Sequence, residues 1–380
     1  MATASATIAP AEQGLFERKL PPRIILASFF LLALPLVTIV SLTSQQWFVS
    51  IYLWLFGLTH FVLTLSVYLQ SENLRYFRAT AQNIFLFFVI PLAILMGFYA
   101  IGVLQLNARF PVFAVALSLV IRVLDFNHLN RQTYGVYQMF KARTGLRPAP
   151  SIKRFEQAYL ISLTALLLTT FLAGGICPLP LVREWLPKAF VASGSRAMLP
   201  LGALTVLFVG LLCLAAVCGA ASVTLLVRAG KAAGRRGGVP EALGYLGIQT
   251  AAALFAIVSF RLYFATLATH YVEYHVLMYP RCFNSELDDT SGLDRWFGRV
   301  RRNWVIFYGT TLLVAGVVMV LRAAGSSPSL PMSYRAVVSI FDGLFVFHYF
   351  VEMLIWRFSN PFFRKALTSL YFTPRLRTSQ

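Results

Sequence analysis

The sequence predicts an all-α polytopic integral membrane protein, a helix bundle of about 8–10 transmembrane helices. Its composition is the first reason, because hydrophobic residues make up 58% of the 380 residues and charged residues only 12%. Soluble domains carry about 25% charged residues, so this chain has too little polar surface to cover a water-soluble globule. The second reason is that long apolar runs recur along the chain. These runs are continuous rather than alternating, which indicates helices and excludes the strands of a membrane barrel.

The predicted spans follow one another over most of the chain. Eight have an ordinary length and lie at residues 24–43, 47–69, 81–106, 110–129, 157–176, 199–227, 303–322 and 336–358. A ninth apolar stretch, 243–279, is too long for one straight crossing and too short for two comfortable ones at about 1.5 Å per residue. We therefore expect an N-terminal tail at 1–23, a single transmembrane domain at 24–358 and a basic tail at 359–380.

The charge of the chain favours a membrane partner over a nucleic acid. There are 33 Lys and Arg against 14 Asp and Glu, a formal net charge of +19. No basic stretch is interleaved with stacking aromatic residues in a polar domain, so we expect no nucleic-acid partner. Basic residues lie mostly in alternate connections, where they fix orientation and contact lipid headgroups. The pattern predicts an integral membrane protein with both termini in the cytoplasm, and we expect the membrane to be a bacterial inner (plasma) membrane.

The number of crossings in the middle of the chain raises a question of parity. Segments 130–156 and 280–302 are both rich in basic residues and are both predicted to be cytoplasmic. An even number of crossings must then separate them. Only three apolar stretches do so, at 157–176, 199–227 and 243–279. We therefore expect one of the three to be re-entrant, half-buried or broken.

The placement of histidine is the strongest functional signal. All five histidines of the chain fall in or at the edge of apolar spans, as do four of the 14 acidic residues. Ionisable residues are costly in lipid and usually mark functional sites there. The histidines are His60, His128, His270, His275 and His348, and the acids are Asp125, Glu273, Asp342 and Glu352.

Three of these histidines have a carboxylate three or four residues away, a spacing that places both side chains on one helix face. Helix bundles assemble metal sites from such faces. Imidazole with carboxylate suits iron, manganese or zinc, and the absence of paired cysteines argues against an iron–sulfur cluster. The acids are either ligands or groups that orient the imidazoles. The predicted metal residues are His60, His128, His270, His275 and His348 with Asp125, Glu273 and Glu352.

Some of these residues have a second interpretation. Asp125 follows Arg122 by one helical turn, so an ordinary ion pair is an alternative to a metal role. His275 lies about 140° around a regular helix from His270, so both bind one metal only if the helix distorts. We predict that His60, His270 and His348 approach one another in the core of the bundle.

The histidine segments resemble those of one known family. GLTH at 57–60, DFNH at 125–128, FATLATHYVEYH at 264–275 and FHYFVEMLIWRF at 347–358 are similar to segments of the Brp/Blh family of bacterial membrane β-carotene 15,15'-dioxygenases. The resemblance implies a membrane helix bundle and non-haem iron, with His60, His128, His270 and His275 as iron ligands. His270 and His275 are five residues apart here, whereas four is the natural helical spacing for two ligands on one face. The resemblance suggests a fold and a metal type, and not carotene as substrate.

The predicted function is that of a membrane-embedded non-haem metal oxygenase or oxidoreductase, with iron as the expected metal. Its substrate would be lipophilic, such as an isoprenoid, a carotenoid or a fatty-acyl lipid. One alternative is a haem-binding electron carrier with two axial histidines. Another is a proton- or metal-coupled transporter, although no internal repeat supports it. Segment 130–156 is predicted either as an interfacial helix over the rim of the site or as an ordinary connector.

Overall fold

The computed structural model describes residues 50–143, 150–186, 197–232, 239–283, 303–325, 331–357 and 359–365. The predicted span at 24–43 and most of both tails lie outside these residues. Within them the chain forms helices and no strand, which confirms the all-α class. Seven of the described helices are long and apolar enough to cross a membrane.

The helices follow the predicted spans closely. The first described span, Ser50–Leu69, contains a π-helical turn at Leu53–Leu58 and then helix α1 at Thr59–Leu65. The later helices are α2 Ser71–Arg78, α3 Ala81–Ile84, α4 Ile90–Val103, α5 Leu106–Arg109, α6 Pro111–Arg143, α7 Pro150–Leu172, α8 Pro180–Trp185, α9 Leu201–Ala232, α10 Val239–Val258, α11 Tyr263–Phe283, α12 Trp304–Gly325 and α13 Met332–Ile355.

The long apolar stretch at 243–279 is the broken one. It consists of α10 and α11, which fold back on each other as an antiparallel pair. The Tyr245 hydroxyl donates to Glu273 Oε1 at 2.8 Å, and Thr269 Oγ1 donates to Gln249 Oε1 at 3.4 Å. Both contacts join residues on opposite sides of the turn between the two helices. Among the described residues, four long helices lie between the two basic segments, and α7, α9 and α10 are each long and apolar enough to cross a membrane.

The turn between α10 and α11 is pinned to the loop that follows α7. The amide of Phe260 donates to Gly175 O at 2.8 Å, and the amide of Cys177 donates to Val258 O at 3.1 Å. Gly175 has φ +80°, a left-handed conformation that glycine adopts without a Cβ penalty. This contact fixes the point at which the apolar stretch reverses direction.

The described parts of segment 130–156 belong to two longer helices. Residues 130–143 continue α6, and residues 150–156 begin α7. The two helices are joined by a buried ion pair between Lys141 and Glu156, to which Gln138 Nε2 adds a hydrogen bond of 3.1 Å. The described residues therefore favour the connector interpretation, because they extend two helices of the bundle.

Large apolar side chains cover the outside of the bundle, as expected for a surface in contact with lipid. Val112, Val206 and Leu313 are 83%, 75% and 68% exposed. Buried polar side chains are instead concentrated where four helices meet. Helix α1 contacts α11 and α13, and both of these contact α6. Each of these four helices carries a predicted histidine.

Candidate metal centre

Four histidines converge in the core, one from each of these helices. They are His60 on α1, His128 on α6, His270 on α11 and His348 on α13, and none is more than 5% exposed. Their ligand nitrogens all lie within 4.8 Å of one another. The ring centroids of His60 and His348 are 4.2 Å apart, and those of His128 and His270 are 4.9 Å apart. The prediction that His60, His270 and His348 approach one another is confirmed, and His128 completes the group.

The spacing of the nitrogens matches the coordination sphere of a single ion. Metal–nitrogen bonds of about 2.0–2.1 Å place two ligands of a tetrahedral ion about 3.4 Å apart. His128 Nε2 and His270 Nε2 are 3.3 Å apart. The upper limit of 4.8 Å for the whole group requires only a small contraction around the ion. The four imidazoles can therefore hold one metal ion.

The backbone fixes the protonation of His60. Its Nδ1 lies 3.2 Å from Gly57 O, and because a carbonyl only accepts, Nδ1 must carry the proton and donate. The lone pair is then on Nε2. That atom is buried and has no hydrogen-bond partner among the residues the structure describes. A buried lone pair without a donor is costly in an apolar core, and a metal ion would satisfy it.

The π-helical turn at Leu53–Leu58 helps to place His60. Such turns are frequent at functional sites. A Cβ at Gly57 would come within 3.2 Å of Tyr271 Cε2, so glycine allows this turn to approach α11 closely. The Tyr271 ring in turn lies 5.0 Å from the ring of His60. Gly57 therefore contributes to the position of His60 in two ways: its carbonyl accepts the Nδ1 hydrogen bond, and its lack of a side chain lets Tyr271 approach the imidazole.

Glu352 lies directly beside the four imidazoles. Its Oε2 is 3.2 Å from His128 Nε2 and 3.7 Å from His348 Nε2. The spacing of four residues between His348 and Glu352 thus places both side chains at the centre, as predicted. Of the three predicted acids, this carboxylate alone has an oxygen among the converging nitrogens of the described residues.

Asp125 lies one layer away from the centre. Its carboxylate accepts hydrogen bonds from Tyr263 at 2.9 Å, Tyr349 at 3.0 Å and Arg122 at 3.4 Å. The ion pair with Arg122 that the sequence offered as an alternative is present. The Tyr349 ring lies 4.8 Å from the ring of His128, so that tyrosine connects Asp125 to the centre.

Glu273 also lies away from the four imidazoles. Its two oxygens accept from Tyr245 at 2.8 Å and from Gln249 at 3.2 Å, both on α10. Three residues on a helix correspond to a rotation of about 60° from His270, which is enough to turn Glu273 toward the neighbouring helix. The carboxylate therefore braces the α10–α11 pair instead of pointing at the centre.

His275 is separate from the other histidines. Its Nε2 donates to Phe56 O at 3.3 Å, and its ring stacks on Tyr308 with centroids 6.0 Å apart. The predicted rotation of about 140° from His270 accounts for this, because α11 is regular enough to keep the two apart. The four histidines that converge therefore include His348, whereas the set implied by the family resemblance includes His275.

Thr64 is a member of the site that sequence reasoning missed. Its hydroxyl oxygen lies 2.7 Å from His348 Nδ1, 2.7 Å from the Tyr274 hydroxyl and 3.2 Å from Glu352 Oε1. Thr64 follows His60 by four residues, so it lies on the same face of α1. That spacing was the available signal, but a threonine in an apolar helix is usually satisfied by its own backbone.

Comparisons with known proteins add no family to this geometry. No protein-family model, no curated protein and no solved structure matches the chain. The functional argument therefore depends on the residues of the site.

Proposed function

We propose that this protein is a membrane-embedded non-haem metal enzyme, an oxygenase or related oxidoreductase that acts on a lipophilic substrate. The observation that carries the proposal is the convergence of four buried imidazoles within 4.8 Å inside an apolar helix bundle. His60, whose Nε2 lone pair has no hydrogen-bond partner among the described residues, is the clearest ligand. His128, His270 and His348 supply the other nitrogens.

The crowding of the rings favours a bare metal ion over haem. A haem iron takes at most two axial histidines, and the porphyrin plane must lie between them. Here the rings of His348 and His60 are 4.2 Å apart, and those of His348 and His128 are 5.0 Å apart. Four imidazoles packed this closely around one point leave no room for a macrocycle.

The same convergence favours a tightly held ion over a transport path. A proton or ion relay needs groups that follow one another toward both sides of the membrane. The buried histidines and Glu352 instead surround one point, with at most 5% of any of these residues exposed. A fixed ligand shell of this kind suits catalysis.

Iron and a lipid substrate are the most specific parts of the proposal. Neutral imidazoles with a nearby carboxylate suit iron, manganese or zinc, and the resemblance to the Brp/Blh family supports iron. Ferrous iron at this position would supply the capacity to bind and reduce dioxygen. The four histidines would hold it, and Glu352 would remain beside two of them as a group able to accept a proton. Because the site lies inside the spans, the substrate would enter from the bilayer.

The test uses detergent-purified, iron-loaded protein. An optical spectrum comes first, because a Soret band would indicate haem. The protein is then incubated with membrane lipid extract under air and under nitrogen, and the products are compared by mass spectrometry. We expect an isoprenoid, carotenoid or fatty-acyl product that forms only under air. Identical lipid profiles under both atmospheres, in protein shown to hold iron, would reject the oxygenase.

A further inference from the structure

Thr64 differs in its partners from Thr169 and Thr311, two other buried threonines of the apolar helices. Thr169 and Thr311 each donate to the carbonyl four residues earlier in their own helix, at 2.5 Å and 2.7 Å. This is the ordinary way to satisfy a threonine in an apolar helix. The Thr64 hydroxyl lies 3.3 Å from the corresponding carbonyl, that of His60, but it also meets three side chains from two other helices. It is fully buried.

The chemistry of the partners gives these contacts a direction. If His348 binds a metal through Nε2, its Nδ1 must carry the proton and donate to the Thr64 oxygen. The Thr64 hydroxyl has one proton of its own, and of its two acceptors, Glu352 Oε1 at 3.2 Å and His60 O at 3.3 Å, the carboxylate is the stronger. The Tyr274 hydroxyl can donate to the second lone pair of Thr64. This assignment gives each donor an acceptor.

We infer that Thr64 is a positioning residue that couples His348 to Glu352 and holds the metal-binding form of the imidazole, an inference that rests on the proposed metal site. Carboxylates commonly orient a ligating histidine through its second nitrogen. Here the threonine hydroxyl lies between the two groups, 2.7 Å from Nδ1 and 3.2 Å from Glu352 Oε1. The other oxygen of the same carboxylate, Oε2, faces His348 Nε2 at 3.7 Å. Glu352 thus touches the centre directly and also supports it through Thr64.

The first experiment compares metal affinity among three variants, with zinc and cobalt as the probes. Thr64→Val keeps the shape and removes the hydroxyl, and Thr64→Ser restores it. Thr311→Val is the matched control, because it removes a buried hydroxyl that bonds only to its own helix. Loss of an outer-shell partner typically weakens binding about 10–100-fold, and we expect this for Thr64→Val. Thr64→Ser should lie within about threefold of the wild type, and Thr311→Val should be unchanged.

A spectroscopic measurement separates positioning from simple packing. The visible ligand-field spectrum of the cobalt form should shift in Thr64→Val and return to the wild-type position in Thr64→Ser. A double-mutant cycle with Glu352→Gln tests the coupling. Because Thr64 acts through Glu352, the effects of the two substitutions should not be independent. The product of the fold-losses of affinity in the two single variants should exceed the fold-loss in the double variant.

A measurement on the wild type keeps the inference testable if Thr64→Val does not fold. Histidine labelled with ¹⁵N in the zinc form should give a protonated Nδ1 for His348. An unprotonated Nδ1, or equal zinc affinity in folded Thr64→Val and wild type, would overturn the role of Thr64 and leave the metal site standing. Failure of the wild type itself to bind zinc, cobalt or iron would instead reject the proposed function.

Discussion

The two histidines of α11 provide the sharpest test of the metal centre, because they lie five residues apart in surroundings that predict opposite results. His270→Ala removes one of four converging nitrogens. Removal of an outer-shell partner already costs about 10–100-fold in affinity, so loss of a ligand should exceed 100-fold. His275→Ala removes a bond of 3.3 Å to a backbone carbonyl and a stacked ring. One such hydrogen bond contributes about 0.5–1.5 kcal/mol to stability and has no direct effect on the ion.

We therefore expect His275→Ala to bind metal within about tenfold of the wild type, even if its whole hydrogen-bond energy were lost from the bound state. The assay is competition for zinc against a chromophoric chelator in detergent, with the bound metal counted by mass spectrometry. Circular dichroism and gel filtration show whether each variant is folded. Equal metal retention in two folded variants, or a larger loss in His275→Ala, would refute the assignment of His270 as a ligand.

Three further outcomes follow from the geometry. Chelation of the metal should lower the midpoint of thermal unfolding, and metal at 100 times its dissociation constant should add about 2.7 kcal/mol of stability; an unchanged midpoint would contradict the site. Gly57→Ala should weaken metal binding, because a Cβ there would lie 3.2 Å from Tyr271 Cε2, whereas Gly244→Ala, with nothing within 4 Å, should leave chelator competition unchanged. Lys141→Met should destabilise the protein by about 3–5 kcal/mol because Glu156 is left buried without its cation. In thermal unfolding, the double variant Lys141→Met/Glu156→Leu should lose much less stability than Lys141→Met alone. An equal loss of stability in the single and double variants would argue against the ion pair.

The sequence was sufficient to predict the membrane fold and most of the centre, because ionisable residues in apolar helices are rare enough to stand out. His60, His270 and His348 could be grouped because they also lie away from the ends of their predicted spans. The acids could not be ranked in the same way. A spacing of three or four residues places two side chains on one helix face, but it does not say which neighbouring helix that face meets. Glu352 and Glu273 both have such a spacing, and only Glu352 turns toward the imidazoles.

The outlying histidine still has a connection to the centre, through backbone and not through a metal. The carbonyls of Phe56 and Gly57, consecutive residues of the π-helical turn, accept from His275 and His60 respectively. A π-helical turn replaces the i→i+4 hydrogen bonds of an α-helix by i→i+5 bonds and is frequent at functional sites. The His275 imidazole thus holds the π-helical turn against α11, and the turn in its own right orients the His60 imidazole. The pattern of two close histidines on α11 is therefore consistent with one ligand and one support, an arrangement that spacing alone cannot distinguish from two ligands.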